Sequence, residues 1–510
     1  MANLLPWPAV FQPSMPSLQA FWHVSSPRTP QAFWEMEQAV QTQALQMADQ
    51  IIGYHLSQLH QAPDFVRKAV EQARADSPIP LINKGLKEVS VLLPGGARCL
   101  LKTPYLRPHR RGKPGRKRAK RGPQGVGRYP VLEAVGIRDG VSPATRSQIA
   151  LYTVQAGSYQ EAIALLSQRG LSVDPSTLAR IASSTARADI ALREAALASA
   201  LAMPISADGP LAGQRVRVSV DGGRVRTRST RKGRKTRKGR HAFTTPWREP
   251  RVLVIDLLSE EGKTDPLRLP LYDVLLNDAD ATFALLSGYL RLLGAAYAQL
   301  VEFIADGADW IWDRAEQLRQ QAEIPVAIWV EVVDFYHASQ HLHKAVELCR
   351  SLKPKKRKQL YRQLRHTLRT HPQGVTLLIE RLQQETKTRR GKKMHKAIAY
   401  FEIHAHRMRY VDLDERKLPV GSGQAESAVR RVVNLRFKAP GTFWNAGQVE
   451  GLMHLRAAFK AGRWEEMMER VLTQTFSVPS FQPITPQFLA ALPLESLDLA
   501  STDQEIQKAA

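Results

Sequence analysis

Apolar runs with a period of two alternate with segments of helical period through the middle of the chain. The first run is residues 215–220, in which valines alternate with basic or polar residues and fill one face of an expected strand. Later apolar runs occupy residues 251–258, 267–276, 301–305 and 326–333. Helical patterns lie at 280–293 and between the fourth and fifth runs. The order strand, strand, strand, helix, strand, helix, strand predicts a mixed sheet with helices on its faces.

Before these runs the pattern predicts mainly helix. Residues 30–75 have helical periodicity, and residues 89–101 predict a hairpin around the turn Pro94-Gly95-Gly96. We interpret this region as an accessory module that binds DNA ends or dimerises.

A helix-turn-helix is predicted between residues 142 and 187. Residues 158–168 predict one helix and 169–173 a turn, and Asp174-Pro175 is a typical start for a second helix. The second helix would present four polar side chains to a DNA groove, namely Ser176, Thr177, Arg180 and Ser183. The alternative is a plain packing unit of two helices.

After the fifth run the chain is helical and basic from 341 to 409, which predicts an all-α insertion. Residues 419–423 break the pattern. Ser422 is then expected to cap a helix that carries Gln424, Glu426, Val429, Arg430 and Val433. The tail from about 477 is Pro-rich and then polar.

These patterns predict seven segments. They are an N-terminal helical and hairpin domain (1–105), a basic linker (106–128), a helix-turn-helix-like region (129–205), a core in two parts (206–345 and 416–475) around a helical insertion (346–415), and a tail (476–510).

The net charge of the chain narrows the class of partner that it is expected to bind. The chain has 73 Lys and Arg residues against 47 Asp and Glu, a net charge of +26, and a pI near 10.2. Three basic segments, 107–121, 224–240 and 353–358, predict contacts with a phosphate backbone that weaken steeply with salt. The alternative is a basic protein with a solvated surface.

Other totals exclude several classes of protein. Two cysteines, Cys99 and Cys349, are too few for a disulfide framework or a Cys-rich zinc site, and a reducing, cytosolic compartment fits them. The N-terminus does not have the pattern of a signal peptide, and no run of about 18 apolar residues predicts a transmembrane helix.

Three carboxylates are the candidate catalytic groups. Asp221 and Asp306 each end an apolar run and are followed by glycine, and Glu426 lies on the helix after the insertion. Hard oxygen ligands of this kind can hold two Mg²⁺ ions about 4 Å apart for in-line displacement at a phosphodiester.

Ordinary structural roles are the alternative. Asp-Gly after a strand is a common turn, and Glu426 with Arg430 is an ordinary helical pair. Three other acids compete as ligands, namely Asp309, Asp334 and Glu450. Three tryptophans, Trp310, Trp312 and Trp444, are candidates to stack on an unpaired base, with core packing favoured for the first two.

Three motifs in order carry a family resemblance: 219–223 (SVDGG), 303–312 (FIADGADWIW) and 421–427 (GSGQAES). With 436–438 (RFK), 441–444 (GTFW) and 455–457 (LRA), they make roughly residues 142–470 similar to bacterial insertion-sequence DDE transposases, closest to the ISKra-type family. The resemblance implies an α/β RNase H-like core interrupted by a helical insertion before the last acid.

The resemblance also implies the site. Asp221, Asp306 and Glu426 would be the catalytic triad and the ligands of two Mg²⁺ ions, for which Mn²⁺ would substitute. Asp334 and His337 resemble the Asp-x-x-His motif of related Mutator-like transposases, although His337 could equally cap or pack.

Expected DNA contacts come from basic residues and one tryptophan: Arg180, Arg224, Arg226, Arg228, Arg231, Lys232, Arg234, Lys235, Arg430, Arg436, Lys438 and Trp444.

The implied activity is transposition. The enzyme would bind the double-stranded terminal repeats of its mobile element, cut with water, and join the 3′-hydroxyl to target DNA, as a homodimer or larger assembly associated with the nucleoid in the bacterial cytoplasm. Two alternatives stay open: an RNase H-like nuclease without strand transfer, and a non-catalytic DNA-binding regulator derived from a transposase.

Overall fold

The structure is a computed structural model that describes residues 27–109, 127–231, 233–237, 239, 241–386 and 391–484. Most of the predicted basic linker, Lys232 and most of the predicted tail lie outside these residues. The chain divides into two compact units, with the boundary between Thr185 and Ala186.

The first unit combines helices with one long hairpin. Its elements are α1 (Pro30–Gln61), α2 (Pro63–Ala75), β1 (Leu81–Leu92), β2 (Arg98–Pro108), α3 (Pro130–Ala134), α4 (Pro143–Gln155), α5 (Tyr159–Ser167) and the start of α6 (Pro175–Ala202). The predicted hairpin is confirmed, with β1 and β2 antiparallel. The buried Asp49 carboxylate of α1 accepts hydrogen bonds from Gly95 N and Ala97 N, each at 2.8 Å, and so fixes the turn.

Both helices of the predicted helix-turn-helix are present. Ser158 caps α5 by accepting from Glu161 N at 3.0 Å, and the Asp174 carboxylate caps α6 by accepting from Ser176 N and Thr177 N. Helix α6 is longer than predicted, because it continues to Ala202.

The second unit contains a mixed five-stranded sheet. Its strands are β3 (Arg215–Gly222), β7 (Arg251–Leu258), β8 (Leu271–Leu275), β9 (Leu300–Ala305) and β10 (Trp329–Val333), in the order β10-β9-β3-β7-β8. Strands β3, β7 and β8 are antiparallel, whereas β9 and β10 run parallel to β3. The predicted mixed α/β class is confirmed. The prediction of strand at Val326–Ile328 is wrong, because these residues form a 3₁₀ turn after Pro325.

The segment from 224 to 240 is not simply the long basic loop that the sequence predicts. Part of it forms β4 (Val225–Thr230), which pairs with β5 (Phe243–Thr244), β6 (Trp247–Arg248) and β11 (Trp444–Asn445) in a second, smaller sheet. Valine and threonine alternate with arginine in β4, and this period of two favours a strand despite the charge.

Helices cover the main sheet and form the insertion. Helices α7 (Ala279–Leu292) and α8 (Asp309–Gln321) lie between strands of this sheet, and α9 (Phe335–Glu347) follows β10. The insertion contains α10 (Pro354–Thr370), α11 (Gly374–Glu385), α12 (Lys392–His404) and α13 (Tyr410–Glu415). After it come α14 (Gly423–Val429), a π turn (Arg430–Asn434), α15 (Leu435–Phe437), α16 (Ala446–Lys460) and α17 (Trp464–Thr473). No helix in the described part of the chain is both long and apolar enough to cross a membrane.

One face of the main sheet carries buried charge. Arg217 on β3 is bidentate to Asp256 on β7, at 3.1 and 2.5 Å, and also donates to Thr264 Oγ1. Glu302, beside Arg217 in the register, is fully buried, and within the described residues neither of its carboxylate oxygens has a hydrogen-bond partner. Burial raises the pKa of Glu302 to about 8, so this acid is mostly protonated at neutral pH.

A second buried polar cluster joins three helices to β8. The His454 ring contacts Asp189 at 2.8 Å and Asp273 at 3.0 Å, and Arg470 and Arg193 each pair with one of these carboxylates. The two carboxylates raise the pKa of His454 against the effect of its burial. Removing one member would leave an unpaired buried charge, which costs about 3 to 5 kcal/mol in such clusters.

Candidate active site

Asp221 and Asp306 lie at the same edge of the main sheet. Strands β3 and β9 are parallel neighbours whose last matched pair is Ser219 with Ile304, and each aspartate follows two residues later. Parallel neighbours end on the same side, so both acids lie at this edge of the sheet, and the charge of Asp306 contributes to the raised pKa of Asp221. Local hydrogen bonds orient them: Gly222 N donates to Asp221 Oδ1 at 2.6 Å, and Ala308 N donates to Asp306 Oδ1 at 3.1 Å.

Asp334 follows β10 directly and is buried. One carboxylate oxygen caps α9 by accepting from Tyr336 N at 2.6 Å and His337 N at 3.0 Å. The other accepts from the backbone N–H and the hydroxyl of Ser422. With both oxygens occupied by four protein donors, Asp334 holds the start of α9 against the residue that precedes α14.

This contact changes the role predicted for Ser422. The serine stands at the N-cap position of α14, as expected, but its side chain does not cap the helix. Its hydroxyl donates to Asp334 instead, at 2.6 Å. The sequence identified both residues, but no local pattern indicated that they contact across 88 positions of sequence.

Glu426 and His337 form the centre of this arrangement. Glu426 lies one turn into α14 and His337 in the first turn of α9, and His337 Nε2 is 3.1 Å from Glu426 Oε1. The Glu426 hydrogen bond raises the pKa of His337 to about 9, while His337 lowers the pKa of Glu426. An imidazolium therefore donates to an ionised carboxylate at neutral pH.

The electrostatics link the three acids. Burial raises the pKa of Asp221 to about 6, and the charges of Asp306 and Glu426 add to the rise. The Gly222 N–H and the positive charge of His337 oppose it. Mutual repulsion of this kind is typical of acids that share a cation site.

The helical insertion contributes one further side chain, Tyr400, which the sequence did not single out. Tyr400 of α12 stacks on His341 of α9, with ring centroids 3.9 Å apart and planes 7° apart. The Tyr400 ring also lies against Gly307, where an added Cβ would be 2.3 Å from its Cε2 atom and 2.4 Å from its hydroxyl. The hydroxyl is buried and, among the described residues, has no hydrogen-bond partner.

The carboxylate ligands suit hard cations in their chemistry. Three carboxylates lie near one sheet edge, and their repulsion would be relieved by a bound cation. Over the residues that the structure covers, no three acidic, histidine or cysteine side chains already form a closed metal-binding cluster. His337 contacts Oε1 of Glu426, and the other carboxylate oxygen can bind a cation. Asp221 and Asp306 are not paired with a cationic side chain by any ion pair in the described part of the chain.

The competing acids have other surroundings. Asp309 is exposed at the first residue of α8, and Glu450 accepts a hydrogen bond from Leu276 N at 3.3 Å. Asp334 is fully engaged by its four donors, which makes it a positioning residue in this structure.

The residues predicted to contact DNA differ in their exposure to solvent. Most of the arginines and lysines are exposed: Arg180, Arg224, Arg226, Arg228, Arg231, Arg234, Lys235, Arg430 and Lys438. Arg180 is already paired with Asp139 at 2.8 Å. Arg436 is only 2% exposed, and its guanidinium lies 4.6 Å from the centroid of the half-buried Trp444 ring, so its direct role is to support that ring.

Two of the predicted stacking tryptophans pack in the protein. Trp312 is buried against Phe303 and donates its indole N–H to Asp306 O at 2.6 Å. Trp310 packs edge-on against Phe283 and lies under the Arg251 guanidinium. Trp312 therefore supports the turn that carries Asp306, in agreement with the packing that the sequence favoured.

Comparison of the chain with protein-family models and with curated proteins finds no match.

Proposed function

We propose that this protein is a DNA transposase with an RNase H-like core and a DDE site formed by Asp221, Asp306 and Glu426. The proposal rests mainly on one observation: two acids end adjacent parallel strands, and the third acid, on the helix after an all-α insertion, raises the pKa of the first. The order of strands in the sheet, β10-β9-β3-β7-β8, is compatible with that fold. Along the chain, the three antiparallel strands β3, β7 and β8 come first, and β9 and β10, parallel to β3, come after them.

The surroundings favour a polyanionic substrate. Strand β4 begins four residues after Asp221, and its exposed Arg226 and Arg228 alternate with buried Val225 and Thr227. Arg226 and Arg228 follow Asp221 by five and seven residues, so the chain allows at most about 18 and 25 Å between their Cα atoms and that of Asp221. Cations beside clustered carboxylates can hold a phosphodiester near groups that would otherwise repel it.

Each of the chain's own groups has a distinct task in the proposed reaction. Asp221 and Asp306 define the edge of the sheet at which the phosphodiester binds. His337 keeps Glu426 ionised and oriented through their hydrogen bond, and Asp334 keeps His337 and α14 in register. When bound, two Mg²⁺ ions would polarise the phosphodiester and activate the attacking oxygen in both cutting and joining.

The test uses the purified full chain, Mg²⁺, and a duplex that carries the end of the element flanking its gene. Nicked and joined products are measured for the wild type, for Asp306→Asn and for Asp309→Asn, which changes an exposed acid three residues away. We expect joining by the wild type and by Asp309→Asn, and a loss of at least about a thousandfold in Asp306→Asn.

The outcomes separate the open alternatives. Cutting without joining by the wild type would identify a nuclease. Duplex binding without cutting, in Mg²⁺ and in Mn²⁺, would identify a DNA-binding regulator. Equal loss in the two variants would remove Asp306 from the site.

A further inference from the structure

The small sheet carries aromatic rings on its exposed surface. Trp247 is 51% exposed, and Phe243 and Phe443 are each 41% exposed, although rings of this size bury their faces wherever packing allows. Phe243 and Phe443 lie together, with centroids 5.1 Å apart. Three large exposed rings in one small sheet and its flanking turn are more than scattered surface apolar residues.

Arginines from β4 lie over two of these rings. The Arg226 guanidinium lies 5.2 Å from the Trp247 centroid, and the Arg228 guanidinium lies 4.3 Å from the Phe243 centroid. The alternation of β4 places Arg226 and Arg228 on its exposed face, while Val225 and Thr227 are buried beneath. Cations and ring faces are thus interleaved on one surface.

The positive charge of this surface indicates which class of partner it can bind. No acid occurs between Gly222 and Arg248, so an acidic partner meets no repulsion from this segment. Phosphates alone require only cations and would not explain the exposed rings. Unpaired nucleotides match both features, because their phosphates pair with arginine and their bases stack on aromatic rings and guanidinium planes.

We propose that Trp247, Phe243 and Phe443 form a stacking platform for unpaired nucleotides of DNA. The platform differs from the three tryptophans that the sequence singled out. Trp310 and Trp312 are packed in the protein, and Trp444, in β11 of the same sheet, is half-buried beside Arg436. The proposal rests on the DNA-binding part of the proposed function, but it does not require cleavage.

The experiment separates base stacking from phosphate binding. Fluorescence anisotropy of the full chain is measured at low salt with three labelled probes of about 20 nucleotides. They are oligo(dT), an abasic strand with the same number of phosphates, and a duplex of arbitrary sequence. Because the first two carry equal charge, any preference for oligo(dT) reports contacts with bases.

We expect the wild type to bind oligo(dT) at least about tenfold more tightly than the abasic strand, since each stacked base stabilises binding measurably. Trp247→Ala and Phe243→Ala should each remove most of that preference and leave abasic and duplex affinities within about twofold. Trp247→Phe should restore the preference for oligo(dT). Arg226→Ala, the matched control, should weaken the binding of all three probes.

Several results would overturn the platform. Equal affinity of the wild type for oligo(dT) and the abasic strand, with normal duplex binding, rejects it alone. The platform is also rejected if Trp247→Ala weakens binding to oligo(dT) and to the abasic strand equally, or weakens binding to neither of them. Failure of all three probes to bind would reject the platform and the DNA-binding part of the proposed function together, whereas absence of cleavage would leave the platform standing.

Discussion

His337 and Glu426 show how a single pair can set the charge of a site. The hydrogen bond that His337 donates to Glu426 is the largest contribution to the raised pKa of His337. Burial opposes this rise, and the nearby charges of Asp334 and Asp306 add to it. A histidine that remains protonated at neutral pH supplies a fixed positive charge among three acids, and it lowers the pKa of Asp221. The pair therefore limits the repulsion at the sheet edge without a bound ion.

The titration of His337 tests this pairing. We expect its ring resonance to titrate near pH 9 in the wild type and to move towards about 6.5 in Glu426→Gln, because the ionised acceptor is lost. Histidine NMR spectra, assigned with His337→Asn, measure both midpoints, and the other histidines serve as internal controls. A midpoint unchanged by Glu426→Gln would contradict the pairing.

The stability of Asp221→Asn should depend on pH in a defined direction. The pKa of Asp221 is raised to about 6 in the folded protein, so its ionisation opposes folding as pH rises from about 4 and does so fully above about 6. Replacing it with asparagine should therefore stabilise the metal-free protein by about 1 to 2 kcal/mol above pH 7, with little effect at pH 4, after allowance for solvent screening.

Urea unfolding in the presence of a chelator measures this difference, with Asp309→Asn as the exposed control. Mg²⁺ should then stabilise the wild type at pH 8 and have a smaller effect on Asp221→Asn, because a ligand is lost. A destabilised Asp221→Asn at pH 8 without metal would show that the carboxylate is held by favourable contacts rather than strained by its neighbours.

At the scale of elements, the site depends on the contact of Asp334 with Ser422. The buried Asp334 carboxylate joins the N-terminus of α9 to the start of α14, and these two helices carry His337 and Glu426. Its four hydrogen bonds include two from the backbone of α9 and one from the backbone of Ser422. Together with the His337–Glu426 contact, this side chain therefore holds the two helices at a defined separation.

Asp334→Asn should be markedly more harmful than Ser422→Ala. An asparagine offers one acceptor oxygen where the aspartate uses two, so backbone donors at one helix are left unpaired, and we expect a loss of about 2 to 4 kcal/mol. Ser422→Ala removes only the hydroxyl and should cost about 1 kcal/mol. Urea unfolding gives both values, and equal small losses would argue against this contact.

The insertion reaches the site through Gly307 and Tyr400. An added methyl at Gly307 would overlap the Tyr400 ring, which is itself stacked on His341. Gly307→Ala should therefore destabilise the protein by about 1 to 3 kcal/mol through overpacking. The loss should shrink by at least about 1 kcal/mol in a Tyr400→Ala background, because the obstructing ring is absent.

A double-mutant cycle from urea unfolding measures this coupling. Gly391→Ala is the control, because an added Cβ there meets no atom of the described residues within 4 Å. Additive losses for Gly307→Ala and Tyr400→Ala would show that the insertion does not bear on the strand end that carries Asp306.

Local pattern predicted most elements of the main sheet, because each strand alternates or is continuously apolar and ends at a polar turn. Residues 251–258 coincide with β7, whereas the sequence pattern left open whether β3 pairs with β9, and only the structure shows that pairing. The small sheet was missed, since its strands β5, β6 and β11 have two residues each, too few to show a period.

The parts of the site that the sequence did not predict are contacts between distant segments. Asp334 with Ser422 and Tyr400 with Gly307 join residues far apart in the chain, and no single residue type indicates its partner. Burial of Arg436 was missed for the same reason, because only the fold places Trp444 over its guanidinium. Pattern predicts elements, whereas their three-dimensional packing decides which side chains meet.

For the whole molecule, the net charge of +26 predicts non-specific DNA binding, but total charge does not say where DNA lies. The position of bound DNA can be distinguished from the effect of total charge by removing the same number of positive charges from each of two surfaces. One is the start of the small-sheet segment, with Arg224, Arg226 and Arg228. The other is the start of α12, where three exposed lysines occur: Lys392, Lys393 and Lys396.

If DNA lies along the small sheet, replacing its three arginines with alanine should reduce the slope of log affinity against log salt by about 3, since each lost phosphate contact lowers the slope by about 0.9. The three-lysine variant loses the same charge and should change the slope by less than about 1, because long-range attraction is screened beyond about 10 Å at moderate salt. Anisotropy titrations of one duplex at several salt concentrations measure both slopes. Equal changes of slope in the two variants would mean that only the total charge of the protein affects DNA binding. The small sheet would then not be the surface along which DNA lies.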